Sequence, residues 1–119
     1  MSENIIVEKS RKFAVRIVRL YKYLTAEHKE YVLSKQILRC GTSIGANVHE
    51  AIRGQSKADF RTKMSIALKE ASETEYWLDL LHETGYLTDV QFEDINSDCA
   101  ELNKILIQIV RSAADDKSS

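Results

Sequence analysis

Side chains able to do chemistry gather in one unusual stretch, Cys40-Gly-Thr-Ser-Ile-Gly-Ala-Asn-Val-His-Glu-Ala51. Ser43, Asn47 and Glu50 follow one another at steps of four and three, which places them on one side of a helix. With Glu73 from a later segment they could form a small-ligand site or a carboxylate acid–base pair, because proton transfer needs a carboxyl held within hydrogen-bond reach of its target. The competing reading is packing. Gly41 and Gly45 inside a helix cost about 1 kcal/mol each relative to alanine, and close approach of a second helix offsets that cost. Ser43, Asn47 and Glu50 beside this smooth strip then need polar partners, for which Lys69, Glu70 and Glu73 are the candidates. No nucleophile, metal-ligand set or cofactor motif accompanies these residues, so packing is the favoured reading.

Other chemistries fail on spacing. His28, His49 and His82 are scattered, none with a second His at i+4, and no Glu-x-x-His pair of the di-iron kind occurs, so no metal is expected. Cys40 lies on an apolar stripe, where a thiol is usually inert. The GTSIG string lacks the Lys and the preceding strand of a phosphate-binding loop. No cofactor and no catalytic residue are assigned.

A second constellation is electrostatic. Lys9, Lys12, Arg16 and Arg19 recur at steps of three and four, Arg11 and Lys22 widen the stripe, and Tyr21 and Tyr23 interleave with it. Cations attract phosphates and tyrosine rings stack on unpaired bases, so the stripe is a candidate RNA-binding face. From the residues alone the favoured reading is a solvated face, or a subunit contact for acidic helices on another copy.

The elements that must carry these residues are all helical. The 119-residue chain has no proline and four glycines, too little turn chemistry for a β-rich fold of this size. Apolar residues recur with helical period over about 4–26 (Ile6, Phe13, Ile17, Leu20, Leu24) and 32–53 (Leu33, Ile37, Cys40, Ile44, Val48, Ala51). The pattern resumes over 57–84 (Phe60, Met64, Ala67, Ala71, Thr74, Leu78, Leu81) and 89–113 (Phe92, Ile95, Cys99, Leu102, Leu106, Ile109). Ser56 with Asp59 and Thr88 with Gln91 read as capping boxes, and Gly54 and Gly85 as helix stops, Gly54 through the left-handed conformation. Connections this short force neighbouring helices antiparallel, which gives a single-domain, all-α, up-down-up-down four-helix bundle with a polar, frayed tail over 115–119.

Charge is divided unevenly. Residues 1–54 carry ten Lys/Arg against five Asp/Glu, and residues 55–119 carry seven against thirteen, a balance of +5 and −6. Such polarity suits association between copies or an anionic partner on the first half. Ile66, Trp77, Ile107 and Val110 lie off the main stripes and either broaden the core or mark an oligomer contact. The N-terminal residues lack a signal-peptide h-region and no apolar run reaches membrane-spanning length, so a cytoplasmic location is expected, with Cys40 and Cys99 reduced.

The ordered strings Leu38–Ala51, then Gln55-Ser-Lys-Ala-Asp-Phe60, then Ile66-Ala-Leu-Lys-Glu-Ala71 and Tyr76-Trp77-Leu78 resemble those of a bacterial family. It is the family of four-helix-bundle proteins encoded in intervening sequences of 23S rRNA genes, and the resemblance covers about residues 5–112. It implies an antiparallel four-helix bundle, assembly as a homopentamer around a central channel, and no established enzymatic activity. It also implies kinship with the accessory proteins of diversity-generating retroelements, which use a basic surface to engage a reverse transcriptase and RNA. Those proteins are strongly basic, whereas this chain carries a formal charge of −1. The expectation is a non-enzymatic, oligomeric accessory or scaffold associated with RNA or an RNA-processing protein. The alternative is a protein–protein interaction module that binds no nucleic acid.

Overall fold

The computed structural model describes the backbone of residues 2–115 and the side chains of residues 5–115. Four helices account for most of it: α1 (Ser2–His28), α2 (Leu33–Ile52), α3 (Lys57–Glu83) and α4 (Asp89–Asp115). Each lies within about one turn of its expected span, and of the expected frayed tail only Asp115 is described, as the last residue of α4. Each helix packs on the next in the chain, and α1 meets α4 to close an antiparallel square. The result is a rod with extents of 50 × 21 × 19 Å.

The helical stripes become the core. Ile6, Phe13, Ile17 and Leu24 from α1 are buried against Ile37, Ile44 and Val48 of α2 and Met64, Ala71 and Leu78 of α3. Ile95, Cys99, Leu102 and Leu106 complete it from α4. Leu33, Phe60 and Phe92, at the helix starts, are half-buried and pack on its ends. Trp77 and Val110 broaden the core, while Ile107 stays exposed. Both cysteines are free and buried: the Thr74 hydroxyl donates to Cys40 Sγ at 3.3 Å and Cys99 Sγ donates to the Ala71 carbonyl at 3.5 Å. Among the described residues no buried side-chain polar atom is left without a partner.

The helix ends follow the expected chemistry in part. Thr88 and Gln91 form the full capping box, each side chain accepting the other's backbone N–H at 3.2 and 2.9 Å. Ser56 Oγ accepts from Asp59 N–H at 3.1 Å. Gly85 takes a positive φ of 86°. Gly54 does not adopt the left-handed conformation expected of it. Arg53 (φ −93°, ψ 3°) ends α2, and Gly54 instead keeps the turn tight, since a Cβ there would meet Asp59 Cβ at 3.1 Å and Ala51 O at 3.2 Å. The left-handed residue at the end of α1 is Lys29 (φ 53°).

Glu30, which follows it, is the cap that no sequence motif announces. Its buried carboxylate accepts N–H bonds from Val32 (3.1 Å), Leu33 (2.9 Å) and Ser34 (2.7 Å), the donors left over at a helix start. Burial alone would raise its pKa, but those three bonds together with the Ser34 hydroxyl outweigh it and hold the carboxyl below its ordinary value.

The α1–α2 contact is a close one. A Cβ on Gly41 would stand 2.7 Å from Ile17 Cγ1, and one on Gly45 would stand 3.3 Å from the Ser10 carbonyl oxygen. The glycine strip therefore serves a close helix crossing, and the helix it meets is α1.

Two outcomes are expected from these contacts. Gly41→Ala should lower stability by about 1–3 kcal/mol through overpacking against Ile17, read from urea denaturation; equal or greater stability would show that Ile17 repacks freely. Glu30→Gln should cost about 1 kcal/mol at neutral pH as a weakened cap. A depressed carboxyl contributes stability above its unfolded pKa and loses it as pH falls through the folded value. The gap between wild type and Glu30→Gln should thus close below about pH 4, and a gap independent of pH would show that the charge plays no part.

Candidate functional site

The basic stripe of α1 is divided by the bundle. Lys9 and Arg16 turn toward α4, where acidic residues recur at matching intervals. Arg16 forks across two carboxylates, Nη1 to Asp98 at 2.6 Å and Nη2 to Asp94 at 2.7 Å, while Lys9 reaches Glu101 at 3.2 Å. Partial burial of the Arg16 guanidinium opposes its charge, but Asp98 and Asp94 outweigh that and raise its pKa further. Lys12 pairs within its own helix with Glu8 at 3.5 Å. Arg11, Arg19 and Lys22 point outward and make no ion pair among the described residues.

Tyr23, expected to offer a stacking face, is half-buried and engaged. Its ring meets His28 edge-on at 5.1 Å, and its hydroxyl lies 3.1 Å from His28 Nε2 and 3.5 Å from Gln91 Nε2. Tyr21 is also half-buried. The six-residue stripe thus resolves into two cations tied to α4, one in an exposed pair on its own helix, and three without an ion pair among the described residues.

The second candidate cluster does not assemble as expected. Ser43 Oγ donates to the Arg39 carbonyl at 2.6 Å and Asn47 Nδ2 to the Ser43 carbonyl at 2.8 Å, so both side chains satisfy themselves on their own helix. Glu50 pairs with Lys63 at 2.8 Å. Lys69 is exposed and joins no ion pair among the described residues. The partner of Glu70 and Glu73 is Arg39, on the neighbouring helix: its guanidinium lies 3.4 Å from Glu70 and in close contact with Glu73. Trp77 Nε1 donates to the same Glu73 oxygen at 3.0 Å.

These bonds decide the chemistry open to the carboxylates. The Trp77 hydrogen bond, with that of Arg39, holds Glu73 below the ordinary carboxylate range despite partial burial. The Lys63 hydrogen bond does the same for Glu50. Both are ionised and engaged at neutral pH, and poor proton acceptors. The Ser43 hydroxyl bonds to the Arg39 carbonyl and to neither carboxylate, so the acid–base arrangement weighed from the sequence does not form. Burial pushes both cysteine thiols up, which leaves them protonated.

Sequence reasoning overlooked Arg39, Asp94, Asp98 and Glu101. A signal for the last three was available, since Asp94, Asp98 and Glu101 repeat at steps of four and three, the complement of Lys9, Lys12, Arg16 and Arg19. Arg39 carried no periodic signal, and its role follows from the α2–α3 register about the Gly54 turn.

Fold and surface together define an all-α, antiparallel four-helix bundle with uncommitted cations on its first helix. The chain belongs to the 23S rRNA-intervening sequence protein family, which matches residues 2–108. A crystal structure of a protein of unknown function, assigned to the S23 ribosomal protein family, from Bacteroides thetaiotaomicron superposes with a TM-score of 0.92. The two are 60% identical over 93% of this chain and 99% of that one. The comparison with curated proteins returns no match.

The Arg16 fork is testable alone. Arg16→Lys should fail to restore the stability lost in Arg16→Ala, because one ammonium cannot span two carboxylates as a planar guanidinium does. A double-mutant cycle with Asp98 should give a coupling of about 1 kcal/mol that shrinks at high salt; zero coupling at low salt would make the fork incidental.

Proposed function

We propose that the protein is a non-enzymatic, homo-oligomeric accessory that associates with RNA. The observation that carries this reading is the outward placement of Arg11, Arg19 and Lys22, with no carboxylate partner among the described residues while their neighbours on the same helix are neutralised. Unpaired guanidinium and ammonium groups gain most from phosphates, because no internal ion pair has to be broken first. Family membership supports the same direction. By resemblance the oligomer is a pentamer, the location cytoplasmic and the working partner an RNA or an RNA-processing protein, with the retroelement accessory proteins as functional kin. In this reading Lys9 and Arg16 contribute less than first expected, since a phosphate would compete with the α4 carboxylates they hold.

A protein-interaction module is the second reading, favoured by the valines among those cations: Val7, Val15 and Val18 are each about two-fifths exposed. In that case the acidic side of one copy covers the basic side of the next.

Native mass spectrometry of protein purified without nuclease treatment, across a salt series, separates the two. The expected result is an oligomer that carries RNA at low salt and sheds it at high salt, with less RNA retained by Lys22→Ala. An oligomer free of nucleic acid that dissociates as salt rises would overturn the RNA reading and support the module.

A further inference from the structure

Cations without an internal partner are not confined to α1. On α1, Arg11 and Lys22 share a line with Val7 and Val18, spaced by four and seven residues. Lys29, just beyond the helix, continues that line. On α2, Lys35 and Arg53 occupy the corresponding outer line with Thr42, Ala46 and His49 between them. Arg11, Lys22, Lys29, Lys35 and Arg53 are all exposed, and none makes an ion pair among the described residues. Of the nearby acids, Glu8 pairs with Lys12, Glu50 with Lys63 and Glu30 with the start of α2, while Glu27 is exposed and joins no ion pair among the described residues.

Between the two lines lies a valley. Ser10, Ala14, Gly45 and Ala46 line it with Val7, Arg11, His49 and Glu50, the last paired with Lys63, around a cavity of about 560 Å³. The close approach of Gly45 to the Ser10 carbonyl brings the two backbones together here. Two rows of cations are therefore carried on helix axes about 8–10 Å apart, over a length of roughly 30 Å at 1.5 Å per residue.

We infer that this α1–α2 valley is the nucleic-acid face, and that it takes one single strand. The phosphodiester backbone runs along the valley under Arg11 and Lys22 from one helix and Lys35 and Arg53 from the other. Small floor residues let the backbone approach closely. The exposed valines beside the cations offer apolar surface to unstacked bases, which a duplex keeps hidden. This assignment rests on the RNA reading above and extends it to α2, whose residues belonged to no expected binding stripe.

The test is fluorescence anisotropy on the full chain, using a labelled uridine-rich single-stranded RNA and a duplex of equal length over a salt series. Lys35→Ala/Arg53→Ala should weaken single-strand binding about 10-fold and reduce the salt slope by about 1.4, two contacts at roughly 0.7 each. Lys69→Ala/Lys104→Ala removes the same charge from α3 and α4 and should stay within about twofold of wild type. Equal losses from the two pairs would mean that only net charge matters, and would overturn the valley while leaving RNA association intact. Tighter binding of the duplex would overturn the single-strand assignment. If the valley variant instead keeps RNA but changes oligomer mass in native mass spectrometry, the valley is a subunit contact and the assignment fails. Wild-type protein that binds neither probe would remove this inference and the proposed function together.

Discussion

The contact on which the arrangement depends is the close crossing of α1 and α2. Gly41 lies against Ile17 and Gly45 against the Ser10 carbonyl, with no room for even a methyl group at the first position. Two helical glycines are costly in isolation, and the fold recovers that cost by bringing two backbones together where larger residues would hold them apart. The crossing sets the rotation of α1 about its own axis. Ile6, Phe13, Ile17 and Leu24 then face the core, Lys9 and Arg16 face α4, and Arg11 and Lys22 face outward.

That rotation explains how a slightly acidic protein keeps a basic side. The α1–α4 seam is the sparsest contact of the four and is bridged by Arg16 with Asp94 and Asp98 and by Lys9 with Glu101. The acidic residues of the second half thus spend part of their charge inside the molecule, on cations that would otherwise have joined an exposed stripe. What remains on the α1–α2 side is largely cationic because Glu8, Glu30 and Glu50 are each engaged within it or at its edge. Net charge therefore describes this surface poorly.

Much of the fold was legible in the sequence because apolar spacing reports which way a helix faces. The four stripes became the core, and the three short connections settled the topology. The site was less legible, since polar side chains choose among several partners. Ser43 and Asn47 were expected to look across to α3 but bond to carbonyls one turn back, which short polar side chains reach without help from another helix. Lys69 was expected in the same network and faces solvent instead, while Arg39, two turns from Asn47, reaches Glu70 and Glu73. Glu30 escaped notice for a related reason: it lies outside the helix it caps and is placed by Lys29 in a left-handed conformation that only backbone geometry reveals. One-dimensional spacing identifies the face of a helix, whereas the register between two helices decides which long side chains meet.

Trp77 has a practical consequence. It is the single tryptophan of the chain, half-buried at the α2–α3 seam, with its indole nitrogen held by the carboxylate that Arg39 also grips. Its emission is therefore a built-in optical gauge of one seam. Separation of α2 from α3 would hydrate the indole and shift its colour, while α1 could part from α4 on the far side of the bundle without the fluorophore registering it.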